Sequence, residues 1–348
     1  MAIRTEGGAQ GAVREYFQPL CEEPLWTEYL YFFAIDEGTQ RAISIHVGRC
    51  VGDLDRWRAS IVAYLADDGL AVAMVEGQGW TDRRLEIGGL VIDIVEDARL
   101  WRVAFTGVAR TVRRRDTMRG LARDGGEVAL TFDLAFGGVV PLWDLRSSIG
   151  DAESYSRMHH QQVGRAIGSF ACGEAAISFS GMCVRDHSSG PRNYALVEGD
   201  FWISVLFPSG RAIMAQAVKL ANSMTNAAYL ATPGADVLAL GTVITHPAVP
   251  SADAAPGSFP ADPMDGDDAR DMEIVVEIGG RTHSMRGDLL HAAALTFYPP
   301  ASEEIGTDFD TAGVLQWTES LIKVRYDGET GYGVRERIAP VAILARPE

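Results

Sequence analysis

Cysteine is scarce in this chain. The four present among 348 residues (Cys21, Cys50, Cys172 and Cys183) lie far apart and form no Cys-x-x-Cys pair. That spacing argues against a disulfide framework and a thiolate zinc site. The thiols read as small buried hydrophobes of a reduced, cytoplasmic protein. Positive charge is also short: 31 Lys and Arg stand against 47 Asp and Glu, a formal net charge of −16. A protein of that sign repels phosphate backbones, which argues against a nucleic-acid partner. The basic stretch RTVRRRDTMR (110–119) reads as a solvated turn between strands. No apolar run reaches membrane-spanning length, and MAIRTEGGAQGAVREYF lacks the apolar centre of a signal peptide. Phosphate loops and dinucleotide fingerprints are missing: GGEVALTFDLAFGG has the glycines without a following helix. No cofactor is therefore expected. No carboxylate or cysteine set sits at ligand spacing, so no metal is expected either. Ser188 lacks the G-x-S-x-G setting of a hydrolase nucleophile.

What the chain has in quantity is period-two alternation. RAISIHVG (41–48), RWRASIVAYL (56–65), LWRVAFTG (100–107) and EVALTFDLAF (127–136) alternate in the first half. EAAISFSGMCV, DFWISVLF, RAIMAQAVKL, MEIVVEIG and TESLIKVRY follow in the second. Turn signals separate them: Asp68-Gly69, Gly88-Gly89, Glu198-Gly199-Asp200, Ser209-Gly210, Gly279-Gly280 and Asp327-Gly328. Short strands at regular spacing with tight turns predict an all-β protein of antiparallel sandwich or barrel type. A barrel of about eight strands encloses one small ligand or its own side chains, and two in tandem account for the length. Helical signals are few, with one short helix expected over 118–125. The polar stretch 147–160 reads as a connector between a first barrel over 1–146 and a second over 161–348. Residues 248–270, rich in Pro, Ala and Asp, read as an exposed, mobile loop within the second.

One stretch departs from this plain pattern. VRDHSSGPR (184–192) places Arg185, Asp186, His187 and Arg192 between two apolar strands. Alternation sends Arg185 and His187 to one face and Asp186 to the other, unless a bulge re-aims them. A histidine trades protons near neutral pH, a carboxylate fixes its tautomer, and an arginine neutralises developing negative charge. The plainer reading is a corner in which Arg and Asp tie down a turn. Upstream, His159 and His160 alternate, so at most one faces a given pocket. Near the end, GYGVRE offers Tyr332 and Glu336 as a phenol and a carboxylate, or else forms a tight glycine corner. The aromatics Trp26, Tyr29, Tyr31, Phe32, Trp101, Trp143, Trp202 and Trp317 read first as barrel core.

These stretches resemble a known pattern. VRDHSSGPRN is similar to G-x-x-R-D-H-S-W-G-x-R-D/N, a motif of bacterial proteins related to hydroxyneurosporene synthase and tocopherol cyclase-like proteins. HHQQVGRAIGSF (159–170) resembles the H-x-E-Q-x-G-x-x-x-G that precedes it, and GYGVRE resembles a G-Y-G-x-x-E near the end. YFFAIDEGTQRAISIHVG and GLVIDIVEDARLWRVAFTG resemble the group's early strands. Ser189 stands where the motif has Trp, and Gln161 where it often has Glu. The first change suggests a wider pocket, and the second removes a possible base.

The resemblance implies two tandem lipocalin-like β-barrels with an apolar pocket in or between them. The group includes a carotenoid hydratase, a tocopherol cyclase, fungal isoflavonoid hydratases and Diels–Alder cyclases, which act on hydrophobic substrates without a redox cofactor. The expected activity is that of a cofactor-independent lyase or isomerase. It would perform hydration–dehydration, cyclisation or elimination on an aromatic or isoprenoid molecule by acid/base catalysis. His187, Asp186, Arg185, Tyr332 and Glu336 are the candidate catalytic residues. Arg192, His159, Gln162, Ser189 and Trp202 are the candidates for binding substrate. The rival expectation is a non-catalytic carrier of lipids or terpenoids. The partner is a hydrophobic small molecule, with room left for a homodimer.

Overall fold

The structure is a computed structural model. It describes residues 14–145, 156–191, 194–220, 223–235, 237–247, 249, 254–299 and 302–346. Alternation yields strands throughout, and the chain forms two closed antiparallel barrels in tandem. Among the described residues the first barrel has eight strands: β1 (Trp26–Asp36), β2 (Arg41–Cys50), β3 (Asp53–Tyr64), β4 (Gly69–Gly77), β5 (Leu100–Arg113), β6 (Gly126–Gly138), β7 (Met158–Cys172) and β8 (Ala175–Pro191). Each strand pairs with the next, and β8 closes on β1. The second repeats this plan with β9 (Val197–Leu206), β10 (Ala212–Leu220), β11 (Ser223–Ala231), β12 (Ala239–Thr245), β13 (Met272–Ile278), β14 (Arg281–Tyr298), β15 (Leu315–Tyr326) and β16 (Glu329–Pro340). Here β16 closes on β9. Closure leaves no barrel strand with an unpaired edge.

The hairpins form where the turn chemistry demands. Asp67 and Asp68 take positive φ (56° and 64°) between β3 and β4. Gly279 and Gly280 do so between β13 and β14. Both are primed turns whose twist matches the strands they join. Glu198-Gly199-Asp200 is not a turn. It lies inside β9, where the register slips between Val197 and Gly199. GYGVRE is not a corner either. It is continuous strand in β16, and its glycines permit close approach: a Cβ on Gly333 would lie 1.9 Å from the Ser204 carbonyl oxygen.

The boundary between the barrels falls later than the sequence pattern suggests. β7 and β8 hydrogen-bond to β6 and β1, so the first unit takes in Asp124–Arg192 and a return segment, Thr232–Leu238. Strand pairing is non-local, and no composition shift marks it. Most of the expected connector (146–155) lies outside the described residues. The helix is also displaced, to Arg114–Arg119, and joins the second unit. Arg114 there is buried and ion-paired to Asp262, rather than solvated. That contact corrects the expectation of exposure for part of 248–270 as well, of which 248 and 250–253 lie outside the described residues. Ala261, Asp262, Pro263 and Ala269 are buried, and Phe259–Pro260 pairs in parallel with Leu344–Ala345.

The first barrel's interior is aromatic. Phe17, Phe32, Trp57, Trp101, Phe105, Phe132 and Phe136 fill it with aliphatic neighbours. Phe201, Ile203, Val205, Ile213, Ile274, Ile322 and Val324 fill the second.

Candidate functional site

The motif strand β8 has two chemically distinct faces. On β1, Leu30 and Phe32 belong to the first barrel's core. Their cross-strand partners are His187 and Arg185, which therefore point into the barrel. On β7, the partners of the same two residues are His160 and Gln162. Ser189, opposite Glu28, shares this interior face. Asp186 and Ser188 lie on the other face, opposite Tyr31 and Tyr29 of β1 and Gln161 and His159 of β7. No bulge interrupts β8 here.

On the interior face every charge is paired. The Arg185 guanidinium meets the Glu15 carboxylate with both terminal nitrogens, at 2.5 and 2.9 Å. Burial alone would push the Glu15 carboxyl up. The Arg185 charge and hydrogen bonds, the His187 charge and the Trp101 N–H outweigh it and bring the carboxyl down to about 2. His187 donates from Nε2 to Glu28 at 2.7 Å, and Arg49 Nε donates to the same carboxylate at 3.0 Å. The Arg49 guanidinium stacks between Trp57 (4.4 Å) and Trp80 (4.2 Å). The carboxylate beside His187 is therefore Glu28 and not Asp186, which corrects the pairing read from adjacency in sequence. Burial first, then the His187 charge, pushes His160 down to about 4, so its ring is neutral. The Nδ1 atoms of His160 and His187 are buried without a hydrogen-bond partner.

The opposite face carries a different pair. His159 Nε2 lies 2.6 Å from Asp186 Oδ2, and both side chains keep a small exposure (8% and 12%). Gln161 Nε2 is 3.3 Å from the same ring nitrogen, and Ser188 Oγ is 3.4 Å from Asp186 Oδ1. Two strands away, the His46 ring lies 4.8 Å from Tyr31 and 6.0 Å from Tyr29. Gly48 makes this arrangement possible, since a Cβ there would come within 2.7 Å of the Tyr29 ring. With the imidazole Nε2–H on Asp186, the carboxylate orients the ring.

The remaining predicted residues divide between the units. Arg192 lies outside the described residues. Trp202, Tyr332 and Glu336 belong to the second unit. Trp202 and Glu336 are cross-strand partners, and Glu319 sits on the far side of Glu336. Burial, then Glu319 and Asp200, holds the Glu336 carboxyl well above the usual carboxylate range. Tyr332 is on the same strand face, about 13 Å along from Glu336 by strand rise, and does not touch it. A pocket of ≈460 Å³ in this unit is lined by Arg119, Arg123, Asp308, Phe309 and Arg346, none of them a sequence-predicted site residue. Among the described residues no three His, Cys, Asp or Glu side chains gather to hold a metal.

Glu15, Glu28, Arg49 and His46 carry no motif that would single them out. The only signal available for Glu28 and His46 is parity: Glu28 has the parity of Leu30 and Phe32, and His46 that of Ser44.

Solved structures share this architecture. A candidate AttH (NE1406) from Nitrosomonas europaea is 13% identical, with a TM-score of 0.56 over 91% of this chain and 93% of that one. CghA crystallised with Sch210972 is 12% identical, with a TM-score of 0.53 over 93% and 90%. CghA alone gives 11% and 0.52 over the same shares. At these identities the likeness is one of fold, the tandem lipocalin-like barrel. No curated protein matches the chain in sequence. The family is shown by a match over residues 11–340: the chain belongs to the family described as Domain of unknown function (DUF7064).

Proposed function

We propose that this protein is a cofactor-independent lyase or isomerase acting on a hydrophobic aromatic or isoprenoid molecule. His159 is its acid/base group and Asp186 its orienting carboxylate. The observation that carries this reading is the 2.6 Å His159–Asp186 contact on the face opposite the barrel interior, where both side chains keep some exposure. His187 and Arg185 are 1% and 4% exposed and spend their donors on Glu28, Glu15 and Gln162. On this reading they hold the barrel wall that presents Asp186. Tyr29, Tyr31 and His46 supply aromatic surface beside the pair. The motif's resemblance to carotenoid hydratase and tocopherol cyclase-like proteins supports a hydrophobic substrate. The fold shared with CghA, crystallised with the compound Sch210972, supports a bound organic molecule.

The test begins with thermal-shift screening against terpenoids, steroids and lignin-type aromatics, with mass spectrometry of each hit to find a product. On the substrate so found, H159Q and D186N should lower turnover by roughly 10²–10⁴-fold, the usual worth of a general acid or base. Their melting temperatures should stay near wild type. Binding without any product would establish a carrier instead. A folded H159Q protein with wild-type turnover would remove the histidine from the mechanism.

A further inference from the structure

The interior of the first barrel contains a site whose occupant belongs to the protein itself. Residues 14–18 run without strand pairing, yet Glu15 and Phe17 are 2% and 1% exposed. The Glu15 carboxylate takes four donors: both terminal nitrogens of Arg185, Trp101 Nε1 at 3.1 Å and the Ala98 backbone N–H at 2.6 Å. The Phe17 ring meets Trp57 edge-on at 5.6 Å, Trp101 at 6.2 Å and the His187 ring at 6.4 Å. All of these partners are supplied by the barrel. They are also held in place independently of Glu15. The Gln162 carbonyl oxygen accepts from Arg185 at 2.7 and 3.1 Å, and the Gln162 amide donates to the Ala98 and Val140 carbonyls, each at 2.9 Å. The guanidinium is stacked 5.0 Å over Trp101. A fork of donors beside an aromatic box is a receptor for one carboxylate and one ring.

We propose that this interior is a binding site for a small aryl carboxylate, and that Glu15 and Phe17 fill it as an internal ligand. The side chains they present set the chemistry of the occupant: one carboxylate and one six-membered ring. A tethered occupant acts at an effective concentration in the millimolar range or above. A free acid therefore competes poorly until the tethered side chains are removed. The site is on the interior face and is separate from the His159–Asp186 pair, so its test reads binding and not turnover.

The probe is 3-phenylpropionate, and the protein is the full chain carrying E15A and F17A together. Binding is followed by calorimetry and tryptophan fluorescence, since Trp57 and Trp101 line the site. The double variant should bind 3-phenylpropionate at least tenfold more tightly than wild type. It should ignore 3-phenylpropanol, which lacks the carboxylate. Adding R185Q should reduce affinity at least tenfold. A double variant with a wild-type circular dichroism spectrum and no gain in affinity over wild type would overturn the proposal. E15A alone keeps the Phe17 ring and covers the case in which the double variant does not fold. Propionate should raise its melting temperature more than that of wild type, and propanol should not. Equal shifts in the two proteins would overturn the proposal as well.

Discussion

Replacing Glu15 by Gln tests how the first barrel tolerates charge in its core. The substitution keeps the shape of the side chain and removes its charge from Arg185, which is 4% exposed. The carboxyl sits at about 2 in the folded protein against an ordinary 4.5, which corresponds to about 3 kcal/mol of stabilisation at neutral pH. Breaking a buried pair while leaving the partner charge in place costs about 3–5 kcal/mol by analogy with other proteins, so the two routes agree. The sign follows from the depressed value. The contribution is complete above the unfolded carboxyl's 4.5 and disappears as pH falls through about 2. At pH 3 roughly 1.4 kcal/mol remains. Urea unfolding of wild type and E15Q, followed by tryptophan fluorescence at pH 7 and pH 3, measures the difference directly. E15Q should be less stable at pH 7 by about 3 kcal/mol and by about half that at pH 3. Equal stability at pH 7, or a difference that does not shrink with acid, would refute the claim that the Arg185–Glu15 contact is a charged pair under strong mutual stabilisation.

Two further outcomes follow from the fold. Burial and the neighbouring carboxylates hold the Glu336 carboxyl well above the usual range when folded, so its contribution is complete below the unfolded carboxyl value and is lost as pH rises. E336Q should therefore match wild-type stability near pH 4 and exceed it at pH 7, by chemical denaturation at both. A Cβ on Gly168 of β7 would lie 1.9 Å from the Asp133 carbonyl oxygen of β6. G168A should force the two strands apart, destabilise the first barrel by several kcal/mol and lower its expression as folded protein. A G168A protein with an unchanged melting temperature would show that the β6–β7 approach is looser than described.

The sequence by itself determined the strands and much of their chemistry. Period-two alternation and glycine or aspartate turns are local signals, set by side-chain direction and by which residues tolerate positive φ, and they are enough to specify antiparallel strands and hairpins, of a sandwich or a barrel alike. Alternation also fixed that Asp186 faces away from Arg185 and His187. What local pattern does not carry is the identity of partners across strands. His187 meets Glu28 over 159 positions and Arg185 meets Glu15 over 170. Asp186 finds His159 only because β7 and β8 pair in a register that sets them diagonally. The placement of β7 and β8 in the first barrel, rather than the second, was likewise decided by which edges remained to be closed. Only the tertiary structure brings such groups together. A charge in an apolar interior is then stable where barrel closure delivers its counter-charge, and neither residue's own neighbours in sequence record that.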